Sequence, residues 1–173
     1  TLDGRFRKVS VRVNRPGVTV LVRGGYYAME ETGGGFDREG VVAYSRISAA
    51  ASDPREVFDL GVAATAVTID RGASVALTIN LDLSRLTFER ALDRNTAAVE
   101  IAAFCLDARQ RPVGELRRRV ELSYSDERLN EVRNKGTAIE LSVPVTGVAD
   151  SVKLVAYNYS DDLLGSRNIT VRK

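Results

Sequence analysis

The 173-residue chain has no histidine, no tryptophan and one cysteine, Cys105. Histidine is the usual general base and a common zinc ligand, so its absence excludes Ser-His-Asp and Cys-His catalysis and most zinc chemistry. A single cysteine excludes a disulfide within the chain and the cysteine-rich zinc sites. We therefore expect a chain that is not an enzyme and that binds no metal ion or cofactor.

The charge balance and the hydropathy exclude two kinds of partner. The chain has 25 basic and 23 acidic residues and a net charge of +2, whereas nucleic-acid binding depends on concentrated lysine and arginine. No apolar run approaches the roughly 20 residues of a membrane-spanning helix.

The chain opens at Thr1 without an initiating methionine or a signal peptide, so we expect an excised fragment of a longer protein.

The N-terminal segment has the pattern of a β-hairpin. Alternating valines predict strands at 9–13 and 18–22, and the sequence Asn-Arg-Pro-Gly at 14–17 favours a turn between them. Two isolated strands are only marginally stable in water. The hairpin therefore needs another surface to lie on, and one alternative is a homodimer formed through the hairpin.

A linker and a helix are predicted next. Residues 30–35 carry charge and three consecutive glycines, a composition typical of a linker. Apolar residues at three- and four-residue steps predict a helix over about 38–51. Asp53-Pro54-Arg55-Glu56 has the form of a second, short helix start.

The region after Leu60 has an almost continuous strand pattern. Apolar and polar residues alternate between turn signals, most clearly in the row Leu77, Ile79 and Leu81, which we expect to be nearly fully buried. The strands are predicted around residues 62–68, 75–83, 99–105, 120–124, 139–143, 152–156 and 169–171. Residues 84–96 are polar and irregular. The predicted fold is mainly β: an immunoglobulin-like β-sandwich of about seven strands, with an N-terminal β-hairpin and one or two short helices.

A second helix is predicted to interrupt the strands. Ser125 can cap it, its acidic first turn matches the helix dipole, Leu129 and Val132 are its expected buried side, and Gly136 ends it. The predicted organisation is a hairpin at 1–29, a linker and helix at 30–58 and a β-sandwich at 59–173.

Three short motifs near the N-terminus carry a family resemblance. They are Gly-Arg-Phe-Arg-Lys at 4–8, Arg-Pro-Gly at 15–17 and Arg-Gly-Gly-Tyr-Tyr at 23–27. Together they resemble the end of the von Willebrand factor type A-related domain found in Acidobacteria. In that family, two strands with closely similar motifs flank an Arg-Pro-Gly turn. The alanine-rich helix, the turn at 107–114 and the final strand are similar in pattern to the family's C-terminal region.

The resemblance also concerns a motif that this chain lacks. Type A domains bind a divalent metal through Asp-x-Ser-x-Ser, whereas Asp82-Leu83-Ser84 is followed by Leu86 where the second serine should be. The resemblance therefore implies that the metal-dependent adhesion site belongs to a part of the parent protein outside this chain. It also implies that the parent is an exported bacterial protein.

Three groups of side chains are candidates for further chemistry. Cys105 lies at an apolar position of a strand, which predicts a buried, inert thiol. Arg117-Arg118-Arg119 indicates either an anion-binding patch or a solvated edge strand. Asp161 and Asp162, with Asp150 upstream, could ligate calcium, although they lack the regular spacing of a calcium loop.

Tyr157 and Tyr159 are the candidate ligand-binding residues. They fall on one face of a predicted strand, where they could form a carbohydrate-stacking platform or pack against a neighbouring strand or loop. The leading hypothesis is a non-catalytic interaction or spacer module that binds a protein partner. The alternative is a carbohydrate- or ligand-binding β-sandwich that uses the tyrosine face or the loops at the end of the sandwich.

Overall fold

The computed structural model describes residues 38–172 in full and, before them, the backbone of two short strands at 6–8 and 25–27. The chain divides into two compact units, residues 1–37 and 38–173. In the first unit, β1 (Phe6–Lys8) pairs antiparallel with β2 (Gly25–Tyr27), as a hairpin requires. The predicted valine strands, their turn and the glycine linker lie outside the described residues.

The second unit contains two helices and eight strands. In chain order they are α1 (Arg38–Ser52), β3 (Val62–Ile69), β4 (Ser74–Leu81), β5 (Glu89–Ala91), β6 (Arg94–Leu106), β7 (Pro112–Tyr124), α2 (Asp126–Lys135), β8 (Thr137–Pro144), β9 (Ser151–Asn158) and β10 (Leu163–Arg172). Strand β5 is not predicted from the sequence. It lies within residues 84–96, where no apolar alternation marks a strand.

The strands form a sheet that curls into two facing layers. One layer has the order β3-β4-β8, and the other has the order β7-β6-β9-β10 with β5 beside the start of β6. Neighbours within a layer are antiparallel, and the end of β10 joins the layers by pairing parallel with β3 through Val171 and Ala66. This is the predicted immunoglobulin-like β-sandwich, with one strand more than expected.

The space between the layers holds the main hydrophobic core. Leu77, Ile79 and Leu81 on β4 are at most 1% exposed, which confirms the prediction for this row. Side chains on a strand point alternately to opposite faces, so the intervening Thr78 and Asn80 face solvent. The layer β6-β9 supplies the opposite side of the core with Val99, Ile101 and Leu154.

Helix α1 adds a third layer on the outer face of β9. Ala43, Ile47 and Ala50 of the helix are buried with Val155 and Tyr157 of β9. Strand β9 is therefore buried on both faces. The predicted division at residue 58 is corrected accordingly, because α1 belongs to the sandwich unit and the boundary between units follows Asp37.

The connection from α1 to β3 contains bends and no helix, so the second helix predicted at Asp53 does not form. The Asp53 carboxylate accepts a hydrogen bond from the Arg55 amide at 2.9 Å, which closes a local turn instead. Lys153 of β9, only 4% exposed, donates to the Arg55 carbonyl at 2.8 Å. Desolvation by burial lowers the Lys153 pKa. The connection is thus held on the outer face of β9.

Helix α2 matches its prediction closely. The Ser125 side chain accepts a hydrogen bond from the Arg128 amide, Leu129 and Val132 are buried, and Gly136 ends the helix with a φ of 75°. Glycine adopts this conformation at little cost. The helix connects the two layers at the end of the sandwich where β7 ends and β8 begins.

Candidate functional site

Tyr157 lies under helix α1. Its side chain is 1% exposed, and its hydroxyl donates to Asp162 Oδ1 at 3.0 Å. Tyr159 is half-buried against the same apolar cluster. A stacking platform needs an exposed ring face, and Tyr157 offers none. Tyr157 therefore takes the other role considered for it, which is packing, whereas Tyr159 follows the end of β9 and is only partly covered.

The three aspartates considered for calcium do not converge. Asp162 binds Arg46 in a two-pronged ion pair, and these hydrogen bonds hold the Asp162 pKa below its usual value. Asp161 accepts from the Thr87 amide at 2.8 Å. Asp150 lies at the opposite end of β9, next to Ser151. Among the described residues, no three His, Cys, Asp or Glu side chains are grouped to hold a metal ion.

Cys105 faces the core between the layers. It is fully buried, and burial raises the pKa of its thiol to about 11. The thiolate is the nucleophilic form of cysteine, so this residue is a core packing residue without nucleophilic character.

The arginine run lies on β7, an edge strand of its layer. Arg119 pairs with Glu39 and Glu121, and hydrogen bonds to these carboxylates raise its pKa. Arg117 lies 3.6 Å from Glu100, and its guanidinium is 5.1 Å from the centre of the Tyr44 ring. Acidic neighbours therefore compensate the charges of Arg117 and Arg119, while Arg118 between them is exposed. This arrangement favours the edge-strand interpretation over an anion-binding patch.

Three connections meet at one end of the sandwich, which we call the loop end. They are the turn at 70–72, the loop at 107–111 and the loop at 145–150. The loop at 145–150 is tied to both layers, because the Val145 amide donates to the Ala73 carbonyl at 2.9 Å and the Thr146 amide donates to the Val113 carbonyl at 2.8 Å. Its last amide, that of Asp150, donates to the Leu106 carbonyl at 2.9 Å.

The loop at 107–111 is ordered by one carboxylate. Asp107 Oδ1 accepts from the backbone amides of Arg109 and Arg111, each at 2.9 Å, and Oδ2 accepts from Arg111 Nε at 2.8 Å. These bonds lower the Asp107 pKa. The loop end is consequently built from short, internally bonded connections.

The loop end contains a largely apolar open cavity of about 350 Å³. Its lining residues are Thr68, Arg71, Gly72, Val75, Val145, Val148 and Ala149. Val148, at the tip of its loop, is 67% exposed. The lining contains no group that could act as a general base to activate the Thr68 hydroxyl, and Arg71 supplies its only charged group. This chemistry suits the binding of an apolar group.

The sequence suggests loops at the end of the sandwich as an alternative site, but it does not single out their residues. Val148 is the residue that marks this site in the structure, and its sequence context does not reveal it. A lone valine beside Gly147 reads as an ordinary loop residue, and its exposure depends on how the loop is tied to both layers.

Comparisons with known proteins leave the family open. No family model matches the chain, and no curated protein matches it. One solved structure, a beta-glucuronidase from glycoside hydrolase family 2, is similar over 65% of this chain at 9% identity and a TM-score of 0.36. The similar region spans 11% of that chain, and a similarity this low supports no conclusion about function. Within residues 38–172, no helix has the length and apolar character needed to cross a membrane.

Proposed function

We propose that the chain is a non-catalytic interaction module, and that it binds a protein partner through the loop end. In keeping with the resemblance at residues 2–27, its parent would be an exported von Willebrand type A-like protein. The observation that carries the proposal is Val148, an apolar side chain 67% exposed on a loop that backbone hydrogen bonds tie to both layers. Holding such a side chain rigidly in solvent favours binding, since less conformational entropy is lost when a partner covers it.

The side chains that were candidates for chemistry are buried in the core or paired with opposite charges. Since these contacts stabilise the fold, they support a binding role over a catalytic one. Cys105 is buried in the core, and Asp162 is held by Arg46. Arg119 is paired with carboxylates. The carbohydrate-binding alternative has less support, because Tyr157 is covered by α1.

Site-specific photo-crosslinking in the parent protein, expressed in its own cells, tests the proposal. A photoreactive amino acid replaces Val148 at the loop end or, as a matched control, Ser142, which is exposed on the outer face of β8. We expect a polypeptide adduct from position 148 and none from position 142.

Two results would contradict the proposal. One is the absence of any adduct at position 148. The other is specific sugar binding by the chain on a glycan array that is lost in Tyr159→Ala, which would establish the carbohydrate-binding alternative.

A further inference from the structure

Leu92 is the most exposed of the large apolar side chains in the described part of the chain, at 97%. It lies in the two-residue turn between β5 and β6, where Ala91 pairs with Arg94. Its φ is 54°, in the left-handed region that favours glycine and that bulky residues rarely adopt. Both the backbone conformation and the exposure are unfavourable for leucine in water, and glycine or asparagine would suit this turn better.

The hairpin that carries Leu92 is fixed to the body of the sandwich. Arg90 donates to the Asp126 carboxylate at 2.7 Å, and Asn95 donates to the same carboxylate at 2.7 Å. Arg94 donates to Ser123 Oγ at 3.1 Å. Leu92 is therefore a projecting apolar side chain on a rigid support, and strained residues held in this way often have a binding role.

The cavity of the loop end lies at the opposite end of the same sandwich. Strand β6 begins beside Leu92 and ends at Leu106, where the loop at 107–111 starts. The cavity walls Val75, Val145 and Val148 are aliphatic, like the leucine side chain. One molecule thus carries a projecting apolar group at one end and an apolar recess at the other.

The charges beside these two features are complementary. Asp93 follows Leu92 in the turn, and Arg71 lines the cavity. Within residues 38–172 neither side chain lies in direct salt-bridge contact with a partner, although the pKa of Arg90 in the same hairpin is raised by its hydrogen bond to Asp126 and further by the charge of Asp93. A carboxylate beside the projecting group and a guanidinium beside the recess would meet if the two ends came together.

From these observations we infer that the partner is a second copy of this chain, whose loop-end cavity receives Leu92. This inference rests on the proposed function and names its partner. Because the two contacting surfaces differ and lie at opposite ends, the contact is head-to-tail and leaves a free cavity and a free Leu92 at the ends of each assembly. Such a contact adds further copies instead of closing at a symmetric dimer.

Sedimentation velocity of the full chain tests the inference. A contact made by Leu92 and the few residues around it buries little surface, so it should be weak. The concentration series should therefore extend to about 1 mM, where weak complexes form. We expect the weight-average mass of the wild-type chain to rise steadily with concentration. Leu92→Gly should remain monomeric while its urea midpoint rises, because glycine relieves the strained backbone. A variant that is more stable yet does not assemble excludes unfolding as the cause.

A second variant alters the recess. Val148→Asp places a carboxylate in the apolar recess that would receive Leu92, and this variant should also remain monomeric. Val67→Thr is the control, since it removes an exposed apolar side chain of similar shape from the outer face of β3 and should assemble like the wild type.

Mixing the two variants gives the decisive result. Leu92→Gly keeps an intact recess and Val148→Asp keeps an intact Leu92, so an equimolar mixture should form a heterodimer and nothing larger. A wild-type chain that stays monomeric throughout the series, or a Leu92→Gly chain that assembles normally, would overturn the inference. An adduct between position 148 and a different protein, together with a monomeric wild-type chain, would overturn it while leaving the proposed function intact.

Discussion

Replacing Ile79 with alanine should lower the free energy of unfolding by about 2–5 kcal/mol, because a buried cavity remains where the side chain was. Ile79 is fully buried in the middle of β4. In register it lies between Ala64 on β3 and Ile139 on β8. The small Ala64 side chain cannot move far enough to fill the cavity left by Ile79. We therefore expect a loss in the upper part of the range of about 2–5 kcal/mol. Urea unfolding of the two proteins measures the difference.

Thr78→Ala is the matched control for this substitution. Thr78 is the preceding residue of the same strand, and its side chain is exposed on the outer face. Its replacement should cost less than about 1 kcal/mol, the range of strand propensity. If the loss for Ile79→Ala were no larger than the loss for Thr78→Ala, the assignment of β4 to the core would be wrong.

Replacing Gly165 with alanine should lower the free energy of unfolding by about 3 kcal/mol, the upper part of the range for overpacking. A Cβ atom at this position would lie 2.1 Å from the Leu60 carbonyl oxygen and 3.1 Å from Val62 Cγ1. The Leu60 amide also donates to the Leu164 carbonyl at 3.0 Å. The clash therefore falls on backbone that enters β3, where a side-chain rotation cannot relieve it.

Gly147→Ala controls for the general effect of adding a methyl group. A Cβ atom there would meet only Val113 Cγ1, at an ordinary contact distance of 3.5 Å. This variant should be unchanged or more stable by up to about 1 kcal/mol, because alanine restricts the unfolded chain. Equal midpoints for Gly165→Ala and the wild type in thermal unfolding would contradict the close packing of β10 against the entry to β3.

The elements that could be predicted from the sequence are those determined by local chemistry. Helix α2 was predicted from the Ser125 cap to the Gly136 stop, because caps and turns act over a few neighbouring residues. The row Leu77 to Leu81 was predicted because one buried face imposes a period of two. Strand β5 was missed because its three residues are all exposed and it is defined by pairing with β6 alone.

The third layer could not be predicted in the same way. Strand β9 has both faces buried, so its pattern is a nearly continuous apolar run interrupted by Lys153, whose ammonium group is satisfied by a distant carbonyl. An apolar run does not indicate which element covers its outer face. Tyr157 was for this reason considered as a ligand-binding residue, although helix α1 covers it.

The candidate site could be predicted from the sequence even less than the third layer, because it exists only in the folded chain. Val148 and Leu92 are single large apolar residues in short connections, and no periodicity distinguishes them. They stand out through their exposure in the folded chain and, for Leu92, through a positive φ. Sequence patterns report neither property.

Hydrogen exchange of the backbone amides in the isolated chain tests most directly the central claim, which is that the loop end is a rigid surface built for binding. The amides of Val145, Thr146 and Asp150 donate to carbonyls of other elements. We expect them to exchange at least about 100-fold more slowly than in an unfolded chain, since exchange requires these bonds to open. The amide of Val148, which makes no such bond among the described residues, should exchange fast. Exchange of all four amides at unfolded-chain rates would contradict the claim and would indicate a flexible loop without a preformed surface.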